Sequence, residues 1–174
     1  YRIRKEKMTD MNQDNKITIR NTRIDFSTYY ESNNISEVTQ SKIDSIDILA
    51  VPTAYANDEF YFAQETIDFI KYCRNNFPDN SFDVLAEEDI QVRSLHSFDI
   101  WMPVIWVANM VLLPIAINVV SNYIWEKLKG RENEPAKVDV TFLTRKGDEE
   151  KYIHYSGDAK TFKESFEKID LNKM

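Results

Sequence analysis

Glycine is almost missing from this chain. Gly130, Gly147 and Gly157 are the only three among 174 residues, and none lies in the first 129. Phosphate-cradling loops need several closely spaced glycines, which reach positive φ and let backbone N–H groups approach the ligand. No Walker A loop, dinucleotide fingerprint or kinase-type loop can be drawn, so nucleotide enzymes of those classes are excluded. Cysteine is scarcer still. Cys73 stands alone, no internal disulfide can form, and a reducing, cytoplasmic setting is the expectation. His96 and His154 are the only histidines, with no CxxC or HxxxH spacing around them. A zinc site needs more ligands than that, and the sequence leads to no metal and no cofactor.

No secretory leader is expected in the opening segment either. The opening YRIRKEKMTDMNQDNK is charged and has no apolar centre, unlike a secretory signal. Met8 and Met11 are candidate native starts, and residues 1–15 are read as lying outside a single domain over 16–174.

What is present is globular in character. Hydrophobic residues make up 43% and aromatics 13% of the chain, too rich for a disordered protein. The net charge of −7 is uneven: residues 33–99 carry 4 basic and 13 acidic groups, whereas residues 100–174 carry 11 of each. An acidic surface repels phosphate backbones, so no nucleic acid is expected as a partner.

Periodicity gives the elements. In KITIRNTRIDF, Ile17 and Ile19, then Ile24 and Phe26, alternate around Asn21-Thr22 and predict two short strands in a hairpin. SIDILAVP predicts a buried strand ended by Pro52, and NDEFYFAQETIDFIKYCRNNFPDN a helix capped at Asn57 or Asp58 and stopped by Pro78. SFDVLA then predicts another strand, completing a βαβ unit. In KVDVTFLTRKGDEEKYIHY, Val138, Val140 and Phe142 alternate, Lys146-Gly147-Asp148 turns, and Ile153 and Tyr155 alternate on the return: a hairpin with one buried face. A final short helix turns Phe162, Phe166 and Ile169 inward, with a cap at Asp158 or Ser156.

Between these units runs IWMPVIWVANMVLLPIAINVVSNYIW, Ile100–Trp125, without one charged residue. As a helix, it would reach roughly 39 Å, beyond a hydrocarbon core of about 30 Å. Trp101 and Trp106 near one end, and Tyr123 and Trp125 at the other, resemble an interfacial belt, and the basic Lys127, Lys129 and Arg131 would put the C-terminal side in the cytoplasm. Against a membrane helix stand Asn109, Asn118, Ser121 and Asn122, which want partners in lipid, and Pro114, expected to kink or break the helix midway. A single crossing would also part the βαβ unit from the hairpin, and the latter is too small to fold alone. The expected fold is therefore α+β: a mixed sheet, from the βαβ unit and the C-terminal hairpin, packed around a long apolar central helix over 100–125.

Candidate chemistry is sparse. AEEDIQVRSLHSFD gathers carboxylates, Arg93 and His96; there Glu87 and Glu88 would serve as acid and base if they faced a cleft. Cys73 with a histidine would be a nucleophile pair, although a small buried cysteine is the commoner role. Gly157 ahead of a helix start would hold an anion, or Asp158 would simply cap that helix. His154 alternates away from Ile153 and Tyr155, which places it on a solvated strand face.

The order of apolar helix, basic linker and then KVDVTFLTRKGDEEKYIHYSGDAKTFKESF resembles that of small accessory proteins of bacterial conflict and defence operons. The resemblance covers residues 100–174 and implies an interaction or effector-associated role, with no catalytic residues to carry over. The leading expectation is a non-enzymatic protein that binds a protein partner or itself, using Trp101, Trp106, Tyr123 and Trp125. The alternatives are a single-helix membrane protein inserted through Ile100–Trp125, and a small enzyme using Glu87, Glu88 and His96.

Overall fold

The computed structural model describes residues 7–12, 15–22, 36–54, 60–86, 91–93, 99–147 and 149–171. In chain order the elements are β1 (Lys7–Asn12), β2 (Asn15–Thr22), α1 (Glu37–Gln40), α2 (Lys42–Ser45), β3 (Ile48–Val51), β4 (Thr53–Ala54) and β5 (Phe60–Ala63). There follow α3 (Thr66–Asn76), β6 (Phe82–Val84), β7 (Val92–Arg93), β8 (Ile100–Val107), α4 (Leu113–Leu128), β9 (Lys137–Lys146) and β10 (Glu149–Asp158). A 3-10 turn (Ala159–Thr161) leads into α5 (Phe162–Glu167).

Seven strands form one mixed sheet in the order β1-β2-β10-β9-β8-β3-β6. The expected α+β architecture is there, with both units in the same sheet. β3 and β6 lie side by side and parallel, with α3 between them in sequence, as the βαβ pattern requires. β9 and β10 pair residue for residue from Lys146↔Glu149 to Lys137↔Asp158. Gly147 makes their turn at φ +63°, a conformation that costs a side-chain-bearing residue energy.

The apolar run joins the two units in a way its composition hid. Ile100–Trp125 is not one long helix: its first third is strand β8, its last part lies in α4, and a turn at Ala108–Leu112 separates them. β8 is antiparallel to β3 and parallel to β9, and it is buried along nearly its whole length because both sheet faces are covered. A strand covered on both faces reads as a continuous apolar run, indistinguishable by periodicity from a buried helix. Pro103 falls at a register shift against β9, where no ladder bond is asked of it. Pro114 is in the first turn of α4, where a missing N–H costs nothing, so it starts the helix instead of breaking it. Asn109 serves the turn, its side chain accepting from the Leu112 N–H at 3.1 Å.

Two other expectations need correcting. Asn21 and Thr22 do not turn the chain; they continue β2, opposite Lys151 and Glu150 of β10. Long-range pairing with β10 won over a weak local turn, and the hairpin is instead β1–β2, with Ile24 and Phe26 outside the described residues. The α3 helix also begins later than predicted. Phe60–Ala63 is a strand, whose Phe62 N–H donates to the Gln91 carbonyl at 2.9 Å. An aromatic run has strand propensity of its own, and a partner strand decides the matter. The Asn57 and Asp58 caps lie outside the described residues.

Packing follows from strand alternation. On one face Ile48, Ala50, Ile105, Val107, Val138, Val140, Phe142, Ile153 and Tyr155 meet α3, α4 and α5 in the main core. Phe162 and Phe166 of α5 sit on Tyr155 and Phe142, as their spacing predicted. On the other face Leu49, Val51, Trp106 and Leu143 form a smaller cluster with Ile43 of α2 and Leu85.

Candidate functional site

Of the four residues expected to make partner or membrane contact, three are interior. Trp106 is 0% exposed: its indole N–H donates to the Ile43 carbonyl at 3.3 Å, and the Arg145 guanidinium lies 4.9 Å from its ring centre. Trp101, on the same strand, is 8% exposed and Tyr123 is 2% exposed. Trp125 alone stands out, 50% exposed.

The surface around Trp125 is set by the α-helical period. Pro114, Asn118, Asn122 and Trp125 recur at three- and four-residue steps and form the outer stripe of α4, with Val111 of the preceding turn, 82% exposed, at its start. No residue from Val111 to Trp125 is charged, and Glu126 is the first that is. The exposed face of a helix ordinarily carries charge; this one offers an indole, two amides, a proline ring and a valine. Scattered apolar exposure is normal on proteins, whereas a helix stripe about three turns long without charge is a feature.

The inner face of α4 carries a polar junction. The Tyr123 hydroxyl donates to the Glu65 carboxylate, and Lys127 pairs with Glu65 at 3.3 Å and Asp68 at 3.5 Å. Phe69 and Tyr72 of α3 meet the Tyr123 ring edge-on. Burial, then the Glu65 bond, hold the Tyr123 phenol far above its ordinary range, so it is a permanent donor. The junction locks α4 to the start of α3 and thereby fixes which side of the helix Trp125 occupies.

The remaining candidates have structural employment or lie out of view. Burial pushes the Cys73 thiol up to about 12, and the side chain is fully enclosed in the main core. His154 points to the other sheet face, as its alternation predicted, so the sheet separates it from Cys73 and the two form no nucleophile pair. There His154 Nε2 contacts Asp139 Oδ2 at 2.7 Å, a diagonal pair across β9 and β10 that alternation could have suggested. Beside it, Arg20 stacks on the Tyr152 ring at 4.1 Å. Asp158 caps the 3-10 turn by accepting from the Lys160 N–H at 2.8 Å, the self-capping alternative to an anion site. Arg93 bonds the Tyr61 hydroxyl at 2.8 Å. Glu87, Glu88 and His96 lie outside the described residues, and among the described residues no group of three or more His, Cys, Asp or Glu is placed to hold a metal.

Comparison with protein-family models, with curated proteins and with solved structures finds no match to this chain.

Proposed function

We propose that this chain is a non-enzymatic interaction protein, an accessory component that binds a protein partner or a second copy through the outer face of α4, with Trp125 as the anchor. The observation that carries this reading is the half-exposed indole at the end of a charge-free stripe. Tryptophan dominates binding hot spots because one rigid side chain removes a large apolar area from water. Its neighbours Asn118, Asn122 and Pro114 bear no charge, so covering them carries no ionic desolvation cost. The acidic balance of residues 33–99 adds long-range steering toward a basic partner.

A protein is favoured over a bilayer by the dimensions of α4. Sixteen residues reach about 24 Å at 1.5 Å each, less than a hydrocarbon core of about 30 Å. Among the described residues no helix is long and apolar enough to cross a membrane.

The test compares the wild-type chain with Trp125→Glu by light scattering after size separation and by mass spectrometry of whatever copurifies at constant stoichiometry. The reading expects self-association or a stoichiometric partner, lost in the variant while circular dichroism is unchanged. A wild-type chain that runs alone as a monomer at every concentration overturns it.

A further inference from the structure

Ile17 and Ile19 of β2 turn toward the main core, so alternation sends Thr18 and Arg20 to the other face of the sheet. Register sets their neighbours. Arg20 lies opposite Tyr152 and Thr18 opposite His154 on β10, while Thr141 of β9 flanks His154 on its other side. The Arg20 guanidinium sits over the Tyr152 ring at 4.1 Å, and the His154 ring borders the same phenol at 6.2 Å.

Among the described residues this cation has no counter-ion, and its Nε is the one buried side-chain nitrogen or oxygen without a hydrogen-bond partner. Other cations of the domain are paired: Arg145 with Asp44 at 3.3 Å, Lys151 with Glu149 at 3.6 Å and Lys127 with Glu65 at 3.3 Å. The two carboxylates that flank this row of the face are engaged elsewhere. Asp139 is held by His154 at 2.7 Å, and Glu150 lies 4.0 Å from Arg145. A buried donor left without an acceptor costs free energy, and native folds leave few. The face also reaches solvent here, with the His154 and Asp139 side chains 27% and 19% exposed.

We propose that Arg20, seated on Tyr152 beside Thr18 and His154, binds an oxyanion: the carboxylate or phosphate group of a small ligand. A guanidinium is a planar fork of donors with no acceptor, and its geometry matches these two groups. The Tyr152 ring keeps the fork on this face when no ligand is bound. An oxygen seated between Nε and the neighbouring Nη supplies the acceptor that the chain does not. Because Nε is sealed from water as the side chain stands, taking that oxygen moves the guanidinium outward. The Thr18 hydroxyl, two residues along on the same face, is placed to donate to a second ligand oxygen. This surface lies across the sheet from α4 and does not depend on the role of Trp125.

The experiment follows the arginine Nε–H signals of the isotope-labelled full chain by nuclear magnetic resonance at fixed ionic strength. Inorganic phosphate, acetate and, as a control, chloride are titrated separately. The Arg20 Nε–H and the amides of Thr18, Tyr152 and His154 are expected to shift and saturate with phosphate, acetate or both. Saturation falls in the millimolar range for ions of so few atoms, and the tighter of the two identifies the ligand's group. Arg145, which is paired on the same face, should not follow. Arg20→Lys keeps the charge without the fork and should bind about tenfold more weakly, and Arg20→Gln should not bind. Shifts that only rise linearly as with chloride, saturation centred on other residues, or saturation that survives Arg20→Gln each overturns the proposal. If Arg20→Gln does not fold, Arg20→Lys carries the comparison, and an unchanged midpoint there overturns it.

Discussion

Tyr123 and Trp125 stand two residues apart on α4 and face opposite ways, one 2% exposed and hydrogen-bonded to Glu65, the other 50% exposed with no charged residue behind it back to Val111. The buried partner sets the orientation and the exposed partner inherits it. Changes at the two positions should therefore separate stability from association.

Trp125→Ala removes no core contact and should leave stability within about 0.5 kcal/mol of wild type, the usual range for surface substitutions. Urea denaturation measures this, and light scattering should show lost association in the same protein.

Tyr123→Phe keeps the ring against Phe69 and Tyr72 and deletes the donor to Glu65. Leaving a largely buried carboxylate short of one bond should cost about 1–3 kcal/mol. The check is a fall in the urea midpoint with an unchanged slope.

Trp106→Ala empties the middle of the smaller cluster and strips the Ile43 carbonyl of its donor. Large aromatic truncations in a core cost about 3–5 kcal/mol, enough to unfold a marginal domain. Loss of the cooperative thermal transition is the expected result.

Burial by itself would raise the Asp83 carboxyl, but the Val84 N–H, Lys42 and Arg74 together hold it below its ordinary value. A folded pKa below the unfolded one means stability that is present above the unfolded aspartate value of about 3.9 and lost as pH falls through the folded value. Asp83→Asn should therefore be less stable near neutrality and flatter with pH below about 4, measured by urea melts at a series of pH values.

Cys73, with its thiol pushed up to about 12 and wholly enclosed, should resist aromatic disulfide reagents at pH 8 in the native protein and react fully in denaturant. Fast labelling of the native chain would contradict its place in the core.

Strict local alternation was enough to specify the C-terminal hairpin. Val138, Val140 and Phe142 face the core with Ile153 and Tyr155, Gly147 makes the turn, and His154 falls on the other face. The order of apolar segments likewise revealed the βαβ unit, because a parallel neighbour pair needs a crossover of about a dozen residues or more, and α3 supplies it. Local pattern failed where burial is complete. Ile100–Val107 lacks polar residues because β3 and β9 flank it and both its faces are covered, a circumstance no window of the sequence contains. The sequence picked out Trp101, Trp106, Tyr123 and Trp125 as a set by residue type, but type says nothing of direction. Which of them meets water was decided by two long-range contacts, Trp106 with Ile43 and Tyr123 with Glu65, which hold the first third of the run in the sheet and the inner face of α4 against α3, and leave the indole of Trp125 outside.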